Sequence, residues 1–532
     1  MENKITQLLS KVKNPASYLG KEINVYIKKW EKEKVKIALS YPDIYSIGMS
    51  SLGFRILYGM LNERDDCICE RFFSPLEDME EILKKEDIPL FTLETKTPVM
   101  DFDIVGFSLS SELNYTNVLN LLDISKIPIF SKERGNNEPI IIAGGNSVFN
   151  PFPIIPFIDV FVIGEGEEAM EKIVETYREL RGEKREKILK CLSEIEGVFV
   201  PMSPKNNIKK ATIFDFENSY FPKKYLVPLT DIIHDRISLE IMRGCYRNCK
   251  FCQAGKCWKP VRKRSPEKVL EIAKETFEKT GYEEISLLSF SAGDHPEIEK
   301  IVSLLVDEFK KRNVSISFPS LRLDTFTFQL AGKIKEIKKS SLTFAPETSE
   351  NLRNKIGKEM GNTKLIELCQ EARESGWRHI KLYFMIGLPD ETEKDISEIV
   401  NLINDISKII KVNVSFNTFI PKPHTEFEKE KFISLDGYEQ KKNFITESHK
   451  KNRYVKVDFH PYNMSCVECF LARGDEKISK VIYNVWKKGG KMENWNEFFD
   501  FEKWTESFKE TGIDMKKYTN YIESTPWKII SL

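Results

Sequence analysis

The chain has 532 residues, enough for two or three domains that each bury their own core. It carries 81 Lys plus Arg and 81 Asp plus Glu, so its overall charge gives no argument for a polyanionic partner. Ten cysteines in a chain this long favour a reducing compartment over a disulfide framework. No run of 18 apolar residues occurs and the first residues are polar, so we expect a cytoplasmic protein that does not enter a membrane.

Residues 1–34 are predicted to form a helical leader, with Trp30 anchored on the domain that follows. From Val35 onwards, short apolar strands alternate with helical segments, which predicts a doubly wound, Rossmann-like parallel sheet over residues 35–204. The expected strands cover residues 35–39, 104–109, 140–143 and 160–163. Ligands of such sheets bind at the carboxyl ends of the strands.

Three loops at those strand ends contain polar or glycine residues that can meet a ligand. They are the segment Asp43-Ile-Tyr-Ser-Ile-Gly48, the segment Ser108-Leu-Ser110, and the pair Gly144-Gly145. Glycine lets a backbone approach a ligand closely, but serine and glycine also serve ordinary turns. In a fourth segment, residues 164–168, the carboxylates are predicted to cap the helix that follows.

A polar connector over residues 205–235 leads to a second alternating pattern over residues 236–426. Its expected strands cover residues 237–242, 285–290, 314–318, 342–344, 380–385 and 412–419. Six strand–helix units with right-handed crossovers predict a partial (β/α)6 barrel of the TIM type, with its chemistry at the carboxyl ends of the strands. The strand pattern is predicted to stop beyond Glu426, and residues 427–532 are predicted to form a mainly helical region.

Three thiols follow the first of these strands, with Cys245, Cys249 and Cys252 at C-x3-C-x2-C spacing. Such a loop can hold three irons of a [4Fe-4S] cube and leave the fourth iron open. Two other interpretations are a structural zinc site completed by Cys257 and buried thiols with no ligand. Phe251, between the last two thiols, is an aromatic residue that can pack against a planar group bound at the cluster.

With Phe251 included, this loop matches a C-x3-C-x-aromatic-C signature, and the chain resembles radical S-adenosylmethionine (SAM) enzymes over residues 15–527. It resembles the mostly uncharacterised subgroup that carries a cobalamin-binding-type domain in front of the SAM domain. The resemblance implies that the open iron binds the amino and carboxylate groups of SAM. The reduced cluster then cleaves SAM to methionine and a 5'-deoxyadenosyl radical. It also implies a low-potential electron donor of the flavodoxin or ferredoxin type.

The resemblance further assigns residues at the later strand ends to SAM. Ser291, Gly293 and Asp294 resemble the family's G-G-E element, in which the carboxylate accepts from the SAM amino group. The remaining implied contacts are Arg322 to the SAM carboxylate, Glu347 to a ribose hydroxyl and Gly387 to the adenine. His424, at the end of the sixth strand, is a candidate for substrate contact.

The cobalamin contacts implied by the resemblance are Asp43, Tyr45, Gly48, Ser108, Ser110, Gly144 and Gly145. The family commonly shows D-x-H-x-x-G in the first of these loops, with histidine as the lower ligand of cobalt. Tyr45 occupies the histidine position here, so the implied cobalt has no protein histidine beneath it. The alternative is a domain that keeps the fold without the cofactor.

The function predicted from these features is reductive SAM cleavage, with cobalamin-dependent methylation of the substrate if the cofactor is bound. One alternative is an RNA-modifying enzyme of the methylthiotransferase kind, although Cys67, Cys69 and Cys191 do not supply its usual second cluster. A second alternative is a zinc-stabilised protein that grips nucleic acid with the basic stretch 256–264. The pair Cys466 and Cys469 either ligates a further metal or belongs to the core.

Overall fold

The computed structural model describes residues 2–317 and 342–532. Within those two stretches, no helix is both long enough and apolar enough to cross a bilayer.

The strands are β1 Val35–Tyr41, β2 Cys67–Phe73, β3 Ile104–Ser108, β4 Ile140–Gly144, β5 Val160–Val162, β6 Val198–Phe199, β7 Ile208–Lys209, β8 Ile237–Glu240, β9 Met242–Arg243, β10 Arg262–Lys263, β11 Glu284–Leu288, β12 Ser315–Ser317, β13 Leu342–Glu347, β14 His379–Ile386, β15 Lys411–Thr418, β16 Val455–Phe459 and β17 Ile530–Ser531. The α-helices are α1 Glu2–Leu8, α2 Tyr45–Gly48, α3 Leu52–Glu63, α4 Glu77–Lys85, α5 Tyr115–Ile124, α6 Gly166–Glu179, α7 Arg185–Leu192, α8 Gln253–Cys257, α9 Pro266–Thr280, α10 Ile298–Phe309, α11 Glu350–Lys355, α12 Asn362–Glu374, α13 Glu393–Ile409, α14 Leu435–His449, α15 Tyr462–Ala472, α16 Ile478–Lys487, α17 Phe501–Thr511 and α18 Lys516–Thr519.

The N-terminal domain is built on a six-stranded sheet with the strand order β2-β1-β3-β4-β5-β6. Strands β1 to β5 pair in parallel, and β6 runs antiparallel at the edge. Strands β1, β3, β4 and β5 are short, mainly apolar and mostly buried, as expected of a parallel sheet that is covered by helices. The predicted doubly wound α/β architecture is confirmed. Trp30 packs on this domain, with its ring edge-on to Phe102 at 5.1 Å.

The sequence pattern does not predict β2, which forms one edge of this sheet. Glu70 and Arg71 interrupt its apolar run, yet all seven residues of the strand are buried. Arg71 is held by two carboxylates, those of Glu22 at 2.8 Å and Glu94 at 2.6 Å. These partners come from remote segments, so the compensation of the buried charge is invisible in the local sequence.

The second half contributes parallel strands in two groups, β12-β11-β8 and β13-β14-β15-β16, on either side of residues 318–341. The six predicted strands are present, and each begins within one residue of its predicted start. The prediction that the strand pattern stops beyond Glu426 is wrong, because β16 pairs in parallel with β15. Exposed Lys456 and Asp458 alternate with the packed residues of β16, so its apolar pattern is too short to identify.

The C-terminal helices pack back onto the N-terminal domain rather than forming a separate body. Phe470 and Trp504 belong to the same apolar core as Phe149 and Phe161 of the first domain. Strand β17 also pairs with β7 in the connector. The chain end therefore holds the two halves together around the site described next.

Candidate active site at the cysteine loop and the domain interface

The cysteine loop follows β9 and ends in the short helix α8. The amide of Arg247 donates to the sulfur of Cys245 at 3.4 Å, and the amide of Gly255 donates to the sulfur of Cys252 at 3.4 Å. The second bond makes Cys252 the N-cap of α8. N–H groups aimed at sulfur stabilise a thiolate and help to set the potential of a bound cluster. The backbone of this loop therefore suits thiolate ligands.

The three thiols of the loop do not converge on a single point. Among the residues that the structure describes, no three His, Cys, Asp or Glu side chains come close enough to hold one metal ion. A tetrahedral zinc site needs such convergence, whereas a [4Fe-4S] cube spreads its thiolates over separate irons. Cys257, the possible fourth zinc ligand, lies in the apolar core, and burial raises the pKa of its thiol. The described side chains therefore do not supply the ligand set of a structural zinc ion.

The turn after α11 supports the cysteine loop from the opposite side. The amide of Lys250 donates to the carbonyl of Ile356 at 2.9 Å, and the Cys249 sulfur lies 3.7 Å from the carbonyl of Gly357. Gly357 has φ +73°, and a Cβ there would lie 2.9 Å from the carbonyl oxygen of Asn248. Only glycine fits this approach, and sequence analysis misses it because a lone glycine also marks ordinary turns.

Asp294 is fixed against the same loop. Arg247 donates to both of its carboxylate oxygens, at 2.9 Å through Nε and at 2.5 Å through Nη2. Gly293 lies in the same turn at the carboxyl end of β11. Ser291 precedes that turn, and its buried hydroxyl has no hydrogen-bond partner among the described residues. These three predicted SAM contacts therefore stand together beside the thiols.

Phe251 of the loop meets the ends of the later strands. Its ring packs against an apolar group that includes Leu388, Phe419 and Met385. A flat ligand at the cluster would thus lie between the loop and the carboxyl ends of β14 and β15.

Glu347 and Gly387 lie at neighbouring strand ends. Glu347 closes β13 with φ +68° and pairs with Lys358, whose charge also acts on the Cys252 thiol. Gly387 follows β14, and its amide already donates to Glu391 at 2.9 Å. An adenine contact at Gly387 would therefore use its carbonyl. Arg322, the remaining predicted SAM residue, lies outside the described residues.

A cavity of about 360 Å³ separates the N-terminal sheet from the second half of the chain. One wall is formed at the ends of β1, β3, β4 and β5, and the opposite wall includes Glu240, Arg243, Trp258 and Phe290. Arg243 is two residues before Cys245, so the cavity adjoins the cysteine loop. Strand ends that face each other across a domain interface are a common place for a cofactor.

Three of the predicted cobalamin contacts, Ser108, Gly144 and Gly145, line this cavity. A Cβ on Gly144 would approach no atom more closely than the Val162 carbonyl oxygen, at 3.6 Å. Gly53 also lines the cavity, and a Cβ there would meet no atom within 4 Å. The cavity therefore has free space beside Gly53 and Gly144, whereas a Cβ on Gly145 would clash with the Leu109 carbonyl oxygen.

Four other predicted contacts, Asp43, Tyr45, Gly48 and Ser110, do not line the cavity. The Tyr45 hydroxyl donates to Glu22 at 2.8 Å inside the domain, and burial raises the pKa of this phenol. Asp43 accepts a bond from Trp495 Nε1 at 3.0 Å. The structure does not support contacts from Asp43 or Tyr45 to a ligand in the cavity. The hydrogen-bond partners of these two side chains, Trp495 and Glu22, come from segments that are remote in sequence.

The carboxylates after β5 join the two halves of the chain. Glu165 pairs with Arg262 at 2.7 Å, and Glu167 pairs with Arg243 at 3.0 Å. Arg243 also holds Glu240 at 2.8 Å. Glu165 occupies the N-cap position of α6, but its side chain makes no capping bond. The capping interpretation is wrong here because arginines of the second half bind these carboxylates more directly.

His424 lies at the domain interface. Its Nε2 is 2.9 Å from the carbonyl oxygen of Phe149, and the two rings meet edge-on at 5.8 Å. Burial lowers the pKa of His424, so the ring is neutral and its Nε2–H donates to that carbonyl. One ring nitrogen is therefore engaged, and a substrate contact at this residue stays a prediction.

The basic stretch 256–264 is largely part of the interior. Arg262 and Arg264 are buried, and the guanidinium of Arg264 lies 4.5 Å from the ring centroid of Phe216. Lys256 pairs with Glu426 at 2.9 Å. These contacts do not support the interpretation of the stretch as a nucleic-acid grip.

The other paired cysteines also belong to the interior. Cys67 and Cys69 are buried in β2, and Cys466 and Cys469 are buried on α15. Burial raises the pKa of Cys466 to about 12 and that of Cys469 to about 11, so both remain protonated thiols.

Comparison with known proteins agrees with this geometry. Residues 53–201 match the family model described as radical SAM proteins, N-terminal, and residues 239–403 match that of the radical SAM superfamily. A relative from Methanocaldococcus jannaschii, "Uncharacterized protein MJ0966", is 31% identical over 464 residues, covering 84% of this chain and 90% of that protein. This chain belongs to the radical SAM superfamily, whose members are enzymes that use a [4Fe-4S] cluster and SAM.

A second relative from the same organism, MJ0865, bears the name of a methylthiotransferase. It is 24% identical over 378 residues, which cover 69% of this chain and 73% of that protein.

Two solved structures share the fold. The cobalamin-dependent SAM radical enzyme OxsB with aqua-cobalamin bound has a TM-score of 0.53 at 15% identity, covering 90% of this chain and 72% of that one. The radical SAM methyltransferase TsrM of Kitasatospora setae, with cobalamin and a [4Fe-4S] cluster bound, has a TM-score of 0.52 at 11% identity, covering 74% of each chain. At these identities the likeness establishes the α/β fold alone.

Proposed function

We propose that this radical SAM enzyme depends on cobalamin and transfers a methyl group to an organic substrate held between its two halves. The cavity of about 360 Å³ carries the proposal, because it lies between the carboxyl edge of the N-terminal sheet and two residues that flank the cysteine loop, Arg243 and Trp258. The cobalamin named in the titles of the TsrM and OxsB structures supports a cofactor of the same kind in this cavity.

The cluster, when bound and reduced, would supply the electron that cleaves SAM to methionine and a 5'-deoxyadenosyl radical. Cys245, Cys249 and Cys252 would hold it. The turn at Gly357, which contacts Cys249, would keep the cysteine loop in place. A flavodoxin-type or ferredoxin-type protein would deliver the electron.

The neighbouring side chains would orient SAM. Asp294, fixed by Arg247, would accept from its amino group, and the free hydroxyl of Ser291 would add a further hydrogen bond. Glu347 would accept from a ribose hydroxyl. Phe251 would cover one face of the adenine and exclude water from it.

Cobalamin, when bound, would carry a methyl group received from a second SAM, while the 5'-deoxyadenosyl radical would take the hydrogen atom from the substrate carbon that accepts the methyl. The cavity wall formed by Leu39, Ile142 and Val162 would present an apolar surface to its ring, and Ser108 and Gly144 would let the backbone approach it. No histidine lines this cavity among the described residues.

The test is anaerobic reconstitution with iron, sulfide and hydroxocobalamin, followed by metal analysis and an optical spectrum. We expect about four irons per chain, broad absorbance near 400 nm as for a thiolate-bound cluster, and about one cobalt per chain. Iron without cobalt would overturn the role of cobalamin and leave the radical SAM assignment intact. Zinc in place of iron would overturn both.

A matched pair of variants at one position tests the cavity itself. Gly144→Ala adds a Cβ at ordinary contact distance, so we expect it to bind cobalt as the parent does. Gly144→Phe would fill the cavity and should reduce cobalt binding at least about tenfold, while iron content and reductive SAM cleavage remain. Equal cobalt binding by both variants would place the cofactor elsewhere.

The methylthiotransferase alternative is less well supported. The name of the relative MJ0865 favours it, but that chemistry needs sulfur from a second cluster. Cys67 and Cys69 lie in the buried strand β2, where they cannot form one without unfolding the sheet.

A further inference from the structure

Two adjoining grooves follow the outer edge of the second half, and we call them together the edge groove. The upper groove, of about 1090 Å³, lies between α14 and β16. The lower groove, of about 920 Å³, lies where β14 and β15 begin, and Asn452 lines both. Among the described strands, β16 is the last of its sheet, so nothing pairs with its outer edge.

The edge groove is strongly basic in a chain whose charges otherwise balance. Nine lysines and arginines line it, against two carboxylates, Glu439 and Asp458. Three of the lysines form ion pairs within their own helical segments. In the part of the chain that the structure describes, no carboxylate pairs with Arg378, Lys411, Lys451, Arg453 or Lys456. This concentration of unpaired positive charge indicates an anionic ligand with several charges.

Aromatic side chains lie among these cations. Tyr454 is 42% exposed, and the guanidinium of Arg453 lies 5.0 Å from its ring centroid. Phe459 and Tyr462 are partly exposed and line the upper groove, which reaches the carboxyl end of β16. Tyr438 also lines it but is buried in the core beneath. A basic channel with aromatic platforms is the usual arrangement for single-stranded nucleic acid, because phosphates bind the cations and bases stack on the rings.

A buried polar group in the groove also lacks a partner. His449 lines the upper groove and is only 4% exposed, and neither of its ring nitrogens has a hydrogen-bond partner among the described residues. Burying an unsatisfied imidazole costs free energy, so the hydrogen bonding of the upper groove is incomplete among the described residues.

We propose that the edge groove binds single-stranded RNA, whose backbone follows β16 from the lower groove towards the carboxyl end of the strand. The five residues of β16 span about 16 Å, enough for a few nucleotides. RNA is preferred because single-stranded segments are the form in which proteins usually read it, and the Asn463 amide can exchange hydrogen bonds with a 2'-hydroxyl. The inference concerns binding alone and does not depend on cobalamin.

The test is fluorescence anisotropy of a labelled single-stranded RNA of about 12 nucleotides, titrated with the full-length chain over a range of salt concentrations. The triple variant Lys451→Glu, Arg453→Glu and Lys456→Glu should bind at least about tenfold more weakly, and the salt slope should fall by about 2. Tyr454→Ala should weaken binding about tenfold through lost stacking, whereas Tyr454→Phe should bind as the parent does.

A matched control carries the same charge change elsewhere, in Lys223→Glu, Lys480→Glu and Lys509→Glu, three exposed lysines outside the groove. It should bind RNA as the parent does, and equal weakening by both triple variants would overturn the assignment of the groove. Polyglutamate that displaces the RNA as well as unlabelled RNA does would overturn it in favour of an acidic polypeptide. Single-stranded DNA of the same sequence, if it competes equally, would overturn the choice of RNA.

Discussion

Two groups of closely spaced cysteines in this chain have opposite surroundings. Cys245, Cys249 and Cys252 lie on a loop, where backbone amides donate to two of the sulfurs. Cys466 and Cys469 lie on the helix α15, packed into the apolar core that joins the C-terminal region to the N-terminal domain. Both groups contain a C-x2-C pair, yet only the first has the surroundings of a ligand set.

The difference lies in what stabilises a thiolate. The loop offers N–H donors to two of its sulfurs. Burial raises the pKa of the Cys252 thiol, but the Gly255 amide and the charge of Lys358 act in the opposite direction. On α15, burial raises the pKa of Cys466 to about 12 and that of Cys469 to about 11, although Arg473 acts on Cys469 in the opposite direction. The spacing of the cysteines indicates a possible metal site in both places. The backbone N–H groups that donate to the loop sulfurs distinguish a ligand set from thiols that belong to the core.

The largest expected effect comes from replacing the three cysteines of the loop, and replacing the two cysteines of α15 provides the comparison. Replacing Cys245, Cys249 and Cys252 together by alanine should reduce bound iron and reductive SAM cleavage to background, because the cluster loses all its protein ligands. The double variant Cys466→Ala, Cys469→Ala should keep the iron content of the parent. It should lose about 1 to 2 kcal/mol of stability from the core. Metal analysis after anaerobic reconstitution measures the iron content, and denaturant unfolding measures the change in stability. Loss of iron in the double variant would contradict the comparison and indicate a second metal site.

Much of this architecture was open to prediction because it depends on local patterns. Alternating strands and helices predict both parallel sheets, and the cysteine spacing predicts the cluster loop. Strands β2 and β16 escape prediction because charged residues interrupt them, and in β2 their partners Glu22 and Glu94 lie far away in sequence.

The candidate site shows the same limit of prediction from local sequence patterns. The position of Asp294, Ser291 and Phe251 at or beside the cysteine loop could be predicted because each follows a recognisable strand or belongs to the motif itself. The position of Tyr45 in its loop predicts a ligand contact, but its hydroxyl donates to Glu22 inside the domain. The ion pairs of Glu165 and Glu167 with arginines of the other half depend on how the two halves pack, which no local pattern records.

A smaller effect should follow from disturbing the support of the cysteine loop without touching a ligand. Gly357→Ala would place a Cβ 2.9 Å from the Asn248 carbonyl and push the loop away from α11. We expect cluster content or SAM cleavage to fall about 10- to 100-fold, as is typical when residues behind metal ligands are changed. Iron analysis and single-turnover SAM cleavage provide the measurements.

Gly281→Ala is the matched control for that substitution. Gly281 has φ +67°, close to the +73° of Gly357, but a Cβ there would meet nothing within 4 Å. Both variants lose about 1 to 2 kcal/mol to backbone strain, so only the contact with the cysteine loop distinguishes them. Equal loss of activity in both would show that the turn acts through stability alone.

The change with the smallest expected effect on cluster content concerns the core that holds Cys466 and Cys469, and it appears as a pH dependence of stability. Glu493 is fully buried there, and it accepts from Trp504 Nε1 at 2.9 Å. Burial raises its pKa to about 7. A raised carboxyl pKa means that the folded state binds the proton more tightly than the unfolded state does. Stability should therefore be full below about pH 4.5 and fall as the pH rises towards 7, by up to about 3 kcal/mol.

Glu493→Gln keeps an acceptor for Trp504 and removes the ionisation. The difference in unfolding free energy between parent and variant should change over that window, whereas exposed Glu497→Gln should leave it constant. A difference that does not vary with pH would mean that Glu493 stays ionised in the folded chain, and the contrast between a polar cysteine loop and an apolar C-terminal core would need revision.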